Sequence, residues 1–195
     1  MKAPNPGFLA LLFILSLISS GCASIYASYT AKDPLTAEEH NNLGVIYERE
    51  GKYDLAIREY KRAASADGEL VVPLVNLGNV YQKKGETKEA EKYYKKALRK
   101  DEHNIEAANN LASLFIETGG DCGEALEILL AATAKENPAP AYALDTLGVL
   151  YFRTGNNGKA KESLIEACTR ASGDEELMKE IDAHLAELGD GAGCK

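Results

Sequence analysis

The chain has 195 residues and a formal net charge of −8, from 22 Lys and Arg against 30 Asp and Glu. Nucleic-acid binding needs a clustered basic face, and the sequence has no Lys/Arg run of that kind, which excludes this class of partner. Hydrophobic residues make up 45% and charged residues 27%, as in an ordinary globular protein, which excludes disorder along the whole chain. Tryptophan is absent and only 6 residues are Pro, so the composition favours helix.

The first 21 residues have the layout of an export signal. Lys2 supplies one positive charge, and an apolar run of 11 residues follows from Phe8 to Ile18. That run is shorter than the ~20 residues that a membrane-spanning helix needs. Small residues come next, and Cys22 directly follows them. This arrangement resembles a bacterial lipoprotein signal.

The lipoprotein resemblance implies that residues 1–21 are removed and that Cys22 is acylated, with palmitate among its acyl chains, which would hold the protein at a membrane. The sequence departs from the family at Ser19, where a branched aliphatic residue is usual. An ordinary signal cleaved near Gly21 and an uncleaved anchor therefore stay open. Ala23 after the cysteine implies, by the same resemblance, the outer membrane. We expect the protein to face the periplasm there.

The segment that follows the cysteine is predicted to be a tether. Residues 22–36 comprise the anchor cysteine and a small, polar stretch without helical periodicity. Its last fourteen residues reach at most about 46 Å at ~3.3 Å each. Thr36 and Glu39 then form a capping box, which predicts that the first helix begins there.

A four-fold internal repeat occupies most of the remaining chain. Each copy has a leucine followed by glycine or alanine, an aromatic residue four places later, and a glycine four places after that. The leucines are Leu43, Leu77, Leu111 and Leu147, the aromatic residues are Tyr47, Tyr81, Phe115 and Tyr151, and the glycines are Gly51, Gly85, Gly119 and Gly155. Leucine and aromatic four apart share a helix face, and the glycine ends that helix. Alanines and one large residue then predict a second helix that packs back on the first.

This pattern resembles the tetratricopeptide repeat (TPR). The resemblance covers residues 37–174 and implies an all-α fold, an α-solenoid of four helix pairs. The repeats are expected at 37–70, 71–104, 105–140 and 141–174, followed by a capping helix at 174–188 and a tail at 189–195. Within them the helices are predicted near 37–50, 53–66, 71–84, 87–100, 105–118, 123–135, 140–154 and 157–170.

The titratable side chains show no pattern typical of catalysis or metal binding. His40, His103 and His184 lie far apart in sequence, so they offer no metal-ligand spacing and no nucleophile partner. Acidic pairs are numerous, but acids on exposed helices indicate solvated faces. We therefore expect no catalytic residues, no metal site and no cofactor, which disfavours an enzyme. His40 is expected at a core position of the first helix.

With Cys22 acylated, three cysteines remain, an odd number for an exported protein in an oxidising compartment. A Cys122–Cys168 bridge would have to span roughly 15 Å, whereas a disulfide allows about 7 Å between Cα atoms. Cys194 in the tail could approach Cys122, because the capping helix runs back towards the turn end of the repeats. We expect free thiols or an intermolecular disulfide ahead of that bridge.

The TPR resemblance also implies where a ligand binds, namely in the groove lined by the first helix of each pair. Asn42, Asn76 and Asn110 recur there at a spacing of 34. Asparagines at this place form a ladder that holds a peptide main chain in some TPR proteins. The alternative is that asparagine is merely tolerated at this position. The other candidate groove residues are Asn41, Val45, Val72, Arg49, Val75, Asn79, Lys83, Asn109, Ser113, Glu117, Tyr142, Asp145, Val149, Phe152 and Arg153.

Together these features predict a membrane-anchored TPR scaffold or adaptor that binds a peptide or protein segment in its concave groove. The resemblance to TPR lipoproteins implies a role in envelope complex assembly, such as pilus and secretin or cell-wall machinery. The alternative is a structural subunit that self-associates into a homo-oligomer. An apolar stripe with Val72 and Phe152 suits the side chains of a bound segment.

Overall fold

The computed structural model describes residues 33–135, 139–189 and 194. These residues form nine α-helices and no strand, as the repeat pattern predicts. The helices are α1 (Ala37–Arg49), α2 (Tyr53–Ala66), α3 (Val72–Lys83), α4 (Thr87–Lys100), α5 (Ile105–Thr118), α6 (Cys122–Thr133), α7 (Ala141–Arg153), α8 (Asn157–Arg170) and α9 (Glu175–Glu187). The signal at residues 1–21, the lipidation at Cys22 and nearly all of the tether lie outside the described residues.

The helices form a linear stack of pairs, which confirms the α-solenoid. The described residues from Ala37 onward belong to one compact unit. Within it α1 packs on α2, α3 on α4, α5 on α6 and α7 on α8, and each pair packs on the next. The first helices also touch in sequence, α1 with α3, α3 with α5 and α5 with α7. Four helices from four repeats therefore lie side by side, as in repeat proteins that build one extended binding face.

The core follows the repeat, with small residues where helices approach closely. Tyr60 and Tyr94 are fully buried, each in the second helix of its pair. Their rings lie against Gly44 and Gly78 of the first helices, where a Cβ atom would collide with the ring. The leucine-glycine pair of the repeat is therefore a packing requirement, since only glycine leaves room for the tyrosine.

The turns between the two helices of a pair use glycine in a left-handed conformation. Gly119 ends α5 with φ of +70°, and its N–H donates to the carbonyl of Phe115. Asp121 then caps α6, because its carboxylate accepts from the N–H groups of Gly123 and Glu124. This cap starts α6 at Cys122, one residue before the predicted start.

The cysteine pairing differs from the expectation. Cys168 and Cys194 form a disulfide with a Cα–Cα distance of 5.2 Å, and Cys122 is a free thiol. The expectation of free thiols or an intermolecular disulfide is therefore wrong for Cys168 and Cys194, and the alternative Cys122–Cys194 bridge does not form either. The capping helix α9 packs against α8 and α7, and Cys194 lies beside the middle of α9. There the N–H of Cys194 donates to the carboxylate of Asp182 at 2.5 Å, which places its thiol beside α8.

The length and the apolar character of a helix decide whether it can cross a membrane. In the described part of the chain, no helix has the length and apolar character needed to cross a bilayer.

Candidate functional site

Amide side chains connect the first helices of neighbouring repeats. The Nδ2 group of Asn76 on α3 donates to Oδ1 of Asn41 on α1 at 2.9 Å. Asn110 on α5 makes the same kind of bond to Oδ1 of Asn79 on α3 at 2.8 Å. The buried Tyr94 hydroxyl also donates to Asn79 Oδ1, at 2.8 Å. We call Asn41, Asn76, Asn79 and Asn110 the amide row, which fixes the spacing of the first three repeats.

The amide row differs from the predicted ladder in its members. Asn42 is exposed, and the residue before it, Asn41, faces α3. One residue along a helix turns the side chain by about 100°, which explains the change. Asn76 and Asn110 use one amide donor on a neighbouring repeat, and their Oδ1 atoms make no bond among the described residues. Binding of a peptide by Asn42, Asn76 and Asn110 stays a prediction.

Asn109 on α5 carries an unpaired polar atom. Its Oδ1 is buried and has no hydrogen-bond partner among the described residues. By repeat register Asn109 corresponds to Asn41, whose Oδ1 accepts from Asn76. The residue that corresponds to Asn76 in the fourth repeat is Thr146, and its hydroxyl donates to the carbonyl of Tyr142 in its own helix. The carbonyl of Asn109 is therefore left without the donor that its counterpart has, which costs roughly 1–3 kcal/mol.

A cavity of about 190 Å³ lies at the C-terminal end of the same face. It is enclosed by α5, α7 and α9, and its lining contains four of the predicted groove residues. The lining residues are Ser113, Ile116, Glu117, Asp145, Thr146, Val149, Glu180 and His184. The capping helix thus contributes side chains to the candidate face, which was not predicted from the sequence. The sequence contains one feature that could have predicted this contribution. Glu180 and His184 are four residues apart, which places both side chains on one side of α9.

A partly buried ion pair lines that cavity. Nδ1 of His184 lies 2.8 Å from Oδ1 of Asp145, and Asp145 is only 5% exposed. The hydrogen bond that His184 donates to the carboxylate of Asp145 raises the pKa of His184; burial opposes this, and the negative charges of Asp145, Glu180 and Glu187 add to the rise. The pair therefore favours the imidazolium form at this end of the face.

The remaining predicted groove residues fall into two groups. Val75 is 2% exposed and belongs to the core, so it offers no surface to a ligand, contrary to the expectation. Val149 is also buried, but its edge lines the cavity. The other predicted residues keep part or all of their side chain accessible, and these are Val45, Arg49, Lys83, Phe152 and Arg153, together with the exposed Val72 and Tyr142.

Lys83 has a partner in the neighbouring repeat. Its Nζ lies 2.7 Å from Oε1 of Glu48 on α1, and the other oxygen of Glu48 accepts from the buried Tyr60 hydroxyl at 2.6 Å. Glu48 was not among the predicted residues, because nothing in its sequence context distinguishes it from other helix acids. At the N-terminal end of the face, Lys83 is therefore paired with Glu48 and is not a free cation.

The second helix of the first repeat holds a buried carboxylate. Glu59 and His40 are each 1% exposed, and their Oε2 and Nδ1 atoms lie 2.8 Å apart. Burial raises the pKa of Glu59, but hydrogen bonds from His40 and Arg58 and the charge of Arg62 outweigh it, and the net shift is downward. The core position predicted for His40 is confirmed. Its partner Glu59 was not predicted from the sequence.

Two groups of described side chains come close enough to share a metal ion. One is Cys168, Asp182 and Cys194, whose sulfurs are joined in the disulfide. The other is Asp145, Glu180 and His184, whose ligand atoms lie within 4.8 Å of one another. Asp145 and His184 already neutralise each other through their hydrogen bond.

Sequence comparisons identify the repeat. Three family models described as tetratricopeptide repeat match residues 35–103, 83–145 and 141–174, which together cover most of the chain. The chain is built of tetratricopeptide repeats. A comparison with curated proteins finds no match. TPR proteins are generally scaffolds without catalytic activity, and the paired helices with one continuous face fit that class.

Solved structures of other TPR proteins are similar to this one. PilF of Pseudomonas aeruginosa is 23% identical with a TM-score of 0.67, over 77% of this chain and 68% of that chain. PilW, described as a widely conserved type IV pilus biogenesis factor, is 19% identical with a TM-score of 0.67, over 78% of this chain and 70% of that chain. A MamA protein is 26% identical with a TM-score of 0.62, over 78% of this chain and 82% of that chain.

Proposed function

We propose that this TPR chain is a lipid-anchored scaffold of the bacterial cell envelope that binds an extended segment of a protein partner. The binding face is formed by α1, α3, α5 and α7. The observation that carries the proposal is the buried, unpaired Oδ1 of Asn109. Rotation of the half-buried Asn109 amide brings this carbonyl to the face, where a backbone N–H of a bound segment supplies the donor that it lacks, so binding removes a cost that the free protein bears.

The amide row extends the same chemistry along the face. The Oδ1 atoms of Asn76 and Asn110 make no bond among the described residues, so they add two acceptors at the spacing of one repeat. Because their amide groups are held by Asn41 and Asn79, these acceptors are already oriented. Pre-ordered groups lose little entropy on binding, which favours a segment that binds through its main chain.

Three observations support the envelope part of the proposal. The leader and Cys22 resemble a lipoprotein signal. The Cys168–Cys194 disulfide suits an oxidising compartment such as the periplasm. PilF and PilW share the fold, and PilW is a pilus biogenesis factor. We therefore place the partner within an envelope assembly, with a type IV pilus apparatus as the first to test.

Photo-crosslinking tests the binding face directly. A photoreactive amino acid at Ser113, which lines the cavity, is introduced into the full chain and activated in envelope membranes. We expect crosslinks to one defined partner segment. Asn109→Leu has a similar shape without the carbonyl, so it should keep or raise the free energy of unfolding while reducing the crosslink yield about tenfold, as expected for loss of ~1.4 kcal/mol.

The exposed Asn157→Leu at the start of α8, outside the binding face, serves as the matched control and should leave the yield unchanged if Asn109 supplies the acceptor. An unchanged yield in Asn109→Leu would refute the assignment of this acceptor. Crosslinks that contain only the chain itself would favour the self-associating subunit over the scaffold.

A further inference from the structure

A groove with four basic side chains lies between the second helices of the first two repeats. Its cavity of about 660 Å³ has walls from α2 and α4 and a base that includes residues of α3. The cations are Lys61, Lys96, Arg99 and Lys100, and all four are exposed. The residues that line the cavity include no acid. We call these four side chains and the apolar residues between them the basic groove.

Positive charge stands on both walls of the basic groove. Lys96, Arg99 and Lys100 are three and four residues apart, so they share one face of α4. Lys61 lines the same cavity from α2. An anion in the groove therefore meets cations from two helices.

The floor between the walls is apolar and consists of Ala64, Leu74, Leu77 and Tyr93. Three of these residues, Leu74, Leu77 and Tyr93, belong to the hydrophobic core. The groove is therefore an opening through which a bound side chain can contact the core. A large apolar side chain that covers this floor loses contact with water, which favours binding.

Three cations of the basic groove have no acidic partner. Lys61, Lys96 and Arg99 form no ion pair within the part of the chain that the structure describes. Lys61 and Lys96 lie over the rings of Tyr81 and Tyr93, at 5.7 and 5.0 Å from the ring centroids. A tyrosine ring attracts a cation but has no net charge, so the positive charge of both lysines stays uncompensated.

The acids near the groove neutralise it only weakly. Lys100 lies 3.8 Å from Glu69, which is 95% exposed, and exposed ion pairs of that kind contribute little. Glu89 acts on Lys61 without forming an ion pair with it, and Glu89 is itself paired with Lys92 at 2.8 Å. The basic groove therefore offers net positive charge to a ligand.

The charge of the whole chain restricts the kind of anion that can bind. Residues 37–104 contain 13 basic and 13 acidic residues, so the basic groove is a local feature, and residues 101–189 contain 6 basic residues against 17 acidic ones. A nucleic acid or an anionic bilayer extends beyond the groove and would be repelled by this acidic surface. A short anionic segment that ends within the groove escapes that repulsion.

We propose that the basic groove binds an acidic segment of a protein partner, in which Asp or Glu side chains flank a large apolar residue. The carboxylates approach Lys61 on one wall and Lys96 and Arg99 on the other, while the apolar residue covers the floor. The groove opens between second helices, whereas the candidate face is formed by first helices. The chain can therefore hold two different segments at once, and this contact does not depend on the function proposed above.

A synthetic peptide tests the groove. The full chain is purified in a nonionic detergent, and binding of a fluorescently labelled peptide of repeated Glu-Glu-Leu units is measured by fluorescence anisotropy. The matched peptide of Gln-Gln-Leu units has a similar shape without the charge. We expect the acidic peptide to bind at low salt about tenfold more tightly than the neutral one. Its affinity should fall about tenfold at 1 M salt, where the Debye length is about 3 Å.

Variants of the chain locate the site. Lys96→Glu with Arg99→Glu reverses the charge of one wall and should abolish binding of the acidic peptide. The control Lys88→Glu with Lys179→Glu makes the same change in net charge at exposed sites outside the groove and should bind normally. Circular dichroism verifies the fold of each variant. If the reversal unfolds the chain, the milder Lys96→Gln with Arg99→Gln should weaken binding about tenfold without that loss.

Crosslinking distinguishes this groove from the candidate face. A photoreactive amino acid at Ser65, which lines the basic groove, should crosslink to the acidic peptide, whereas one at Ser113 in the other cavity should not. Asn109→Leu should leave binding of this peptide unchanged, so failure of the function proposed above and failure of this contact can be told apart.

The other outcomes overturn the proposal. No binding at low salt, equal binding of the neutral peptide, binding that survives the charge reversal, or crosslinks at Ser113 instead of Ser65 would each exclude an acidic segment in this groove. The chain may also be tested on vesicles of phosphatidylglycerol and of phosphatidylcholine. A preference for phosphatidylglycerol that the reversal removes, without binding of the peptide, would assign the groove to a membrane surface instead.

Discussion

The imidazole of His184 on α9 lies 2.8 Å from the buried carboxylate of Asp145 on α7. This ion pair joins the capping helix to the last helix of the candidate face. The contact is strongest when both partners are charged, so its contribution to the stability of this end of the stack depends on pH.

Stability should fall as pH rises through the titration of His184. The pKa of His184 is raised in the folded state above its ordinary value of 6.5. A raised histidine pKa adds stability that is complete below pH 6.5 and is lost as pH rises through the folded-state pKa. Urea unfolding across that interval measures the effect, and Asp145→Asn, which removes the charge, should flatten this part of the curve. An equally steep curve in Asp145→Asn would show that another group is responsible.

The buried pair of His40 and Glu59 should respond strongly to loss of one partner. Glu59→Leu removes the carboxylate that is hydrogen-bonded to the buried imidazole, and we expect a loss of about 1–3 kcal/mol in the free energy of unfolding. The positions that match His40 in the second and fourth repeats are Leu74 and Leu144. His40→Leu combined with Glu59→Leu should therefore recover most of the loss. If the double variant is as unstable as the single one, the hydrogen bond between His40 and Glu59 is not the source of the effect.

The close approach of Gly78 and Tyr94 predicts a severe effect of a single methyl group. A Cβ at Gly78 would collide with the Tyr94 ring, so Gly78→Ala should lower stability by about 1–3 kcal/mol. The third repeat has Ala112 and Leu129 at the corresponding places. Tyr94→Leu added to Gly78→Ala should therefore recover part of the loss, net of the hydrogen bonds that Tyr94 donates to Asn79 and Gln82. Thermal unfolding of the three variants distinguishes these outcomes.

The disulfide should contribute measurably to stability. It joins residues 26 apart in sequence, and a link of that length stabilises by about 2–4 kcal/mol. Cys194→Ser should lower the urea midpoint accordingly, and reduction of the unmodified chain should have the same effect. Cys122→Ser leaves the bridge in place and is the control, with no change expected. A reductant that lowers the midpoint of Cys194→Ser equally would point to a cause other than this bridge.

The repeated helix pairs were predictable because one sequence motif indicates both where a helix lies and which of its faces packs on the next helix. The motif that runs from Leu111 to Gly119, like its counterparts in the other repeats, marks both a helix face and a turn. The helices therefore differ from prediction by at most two residues at their ends. The all-helical solenoid is confirmed for the same reason.

The contacts between elements were less predictable. Asn41 rather than Asn42 faces the next repeat, because a side chain's direction depends on how two helices are rotated against each other. The Cys168–Cys194 pairing depends on the path of the chain after α9, where the sequence has no periodicity. In the sequence, Glu59 cannot be distinguished from the many acids on exposed helix faces. Only the position of His40 on the neighbouring helix explains why Glu59 is buried.

The bond between Cys168 and Cys194 also sets a direction for unfolding. A stack of repeats loses its terminal units first, because an end repeat has one neighbour and an inner repeat has two. In this chain the last helix lies inside the loop that the disulfide closes between α8 and Cys194, so α9 cannot move far from α8 while the bond is intact. Fraying should begin at α1 and α2, and hydrogen exchange should be faster there than in α8 and α9. Reduction would open the second end and let the stack unravel from both sides.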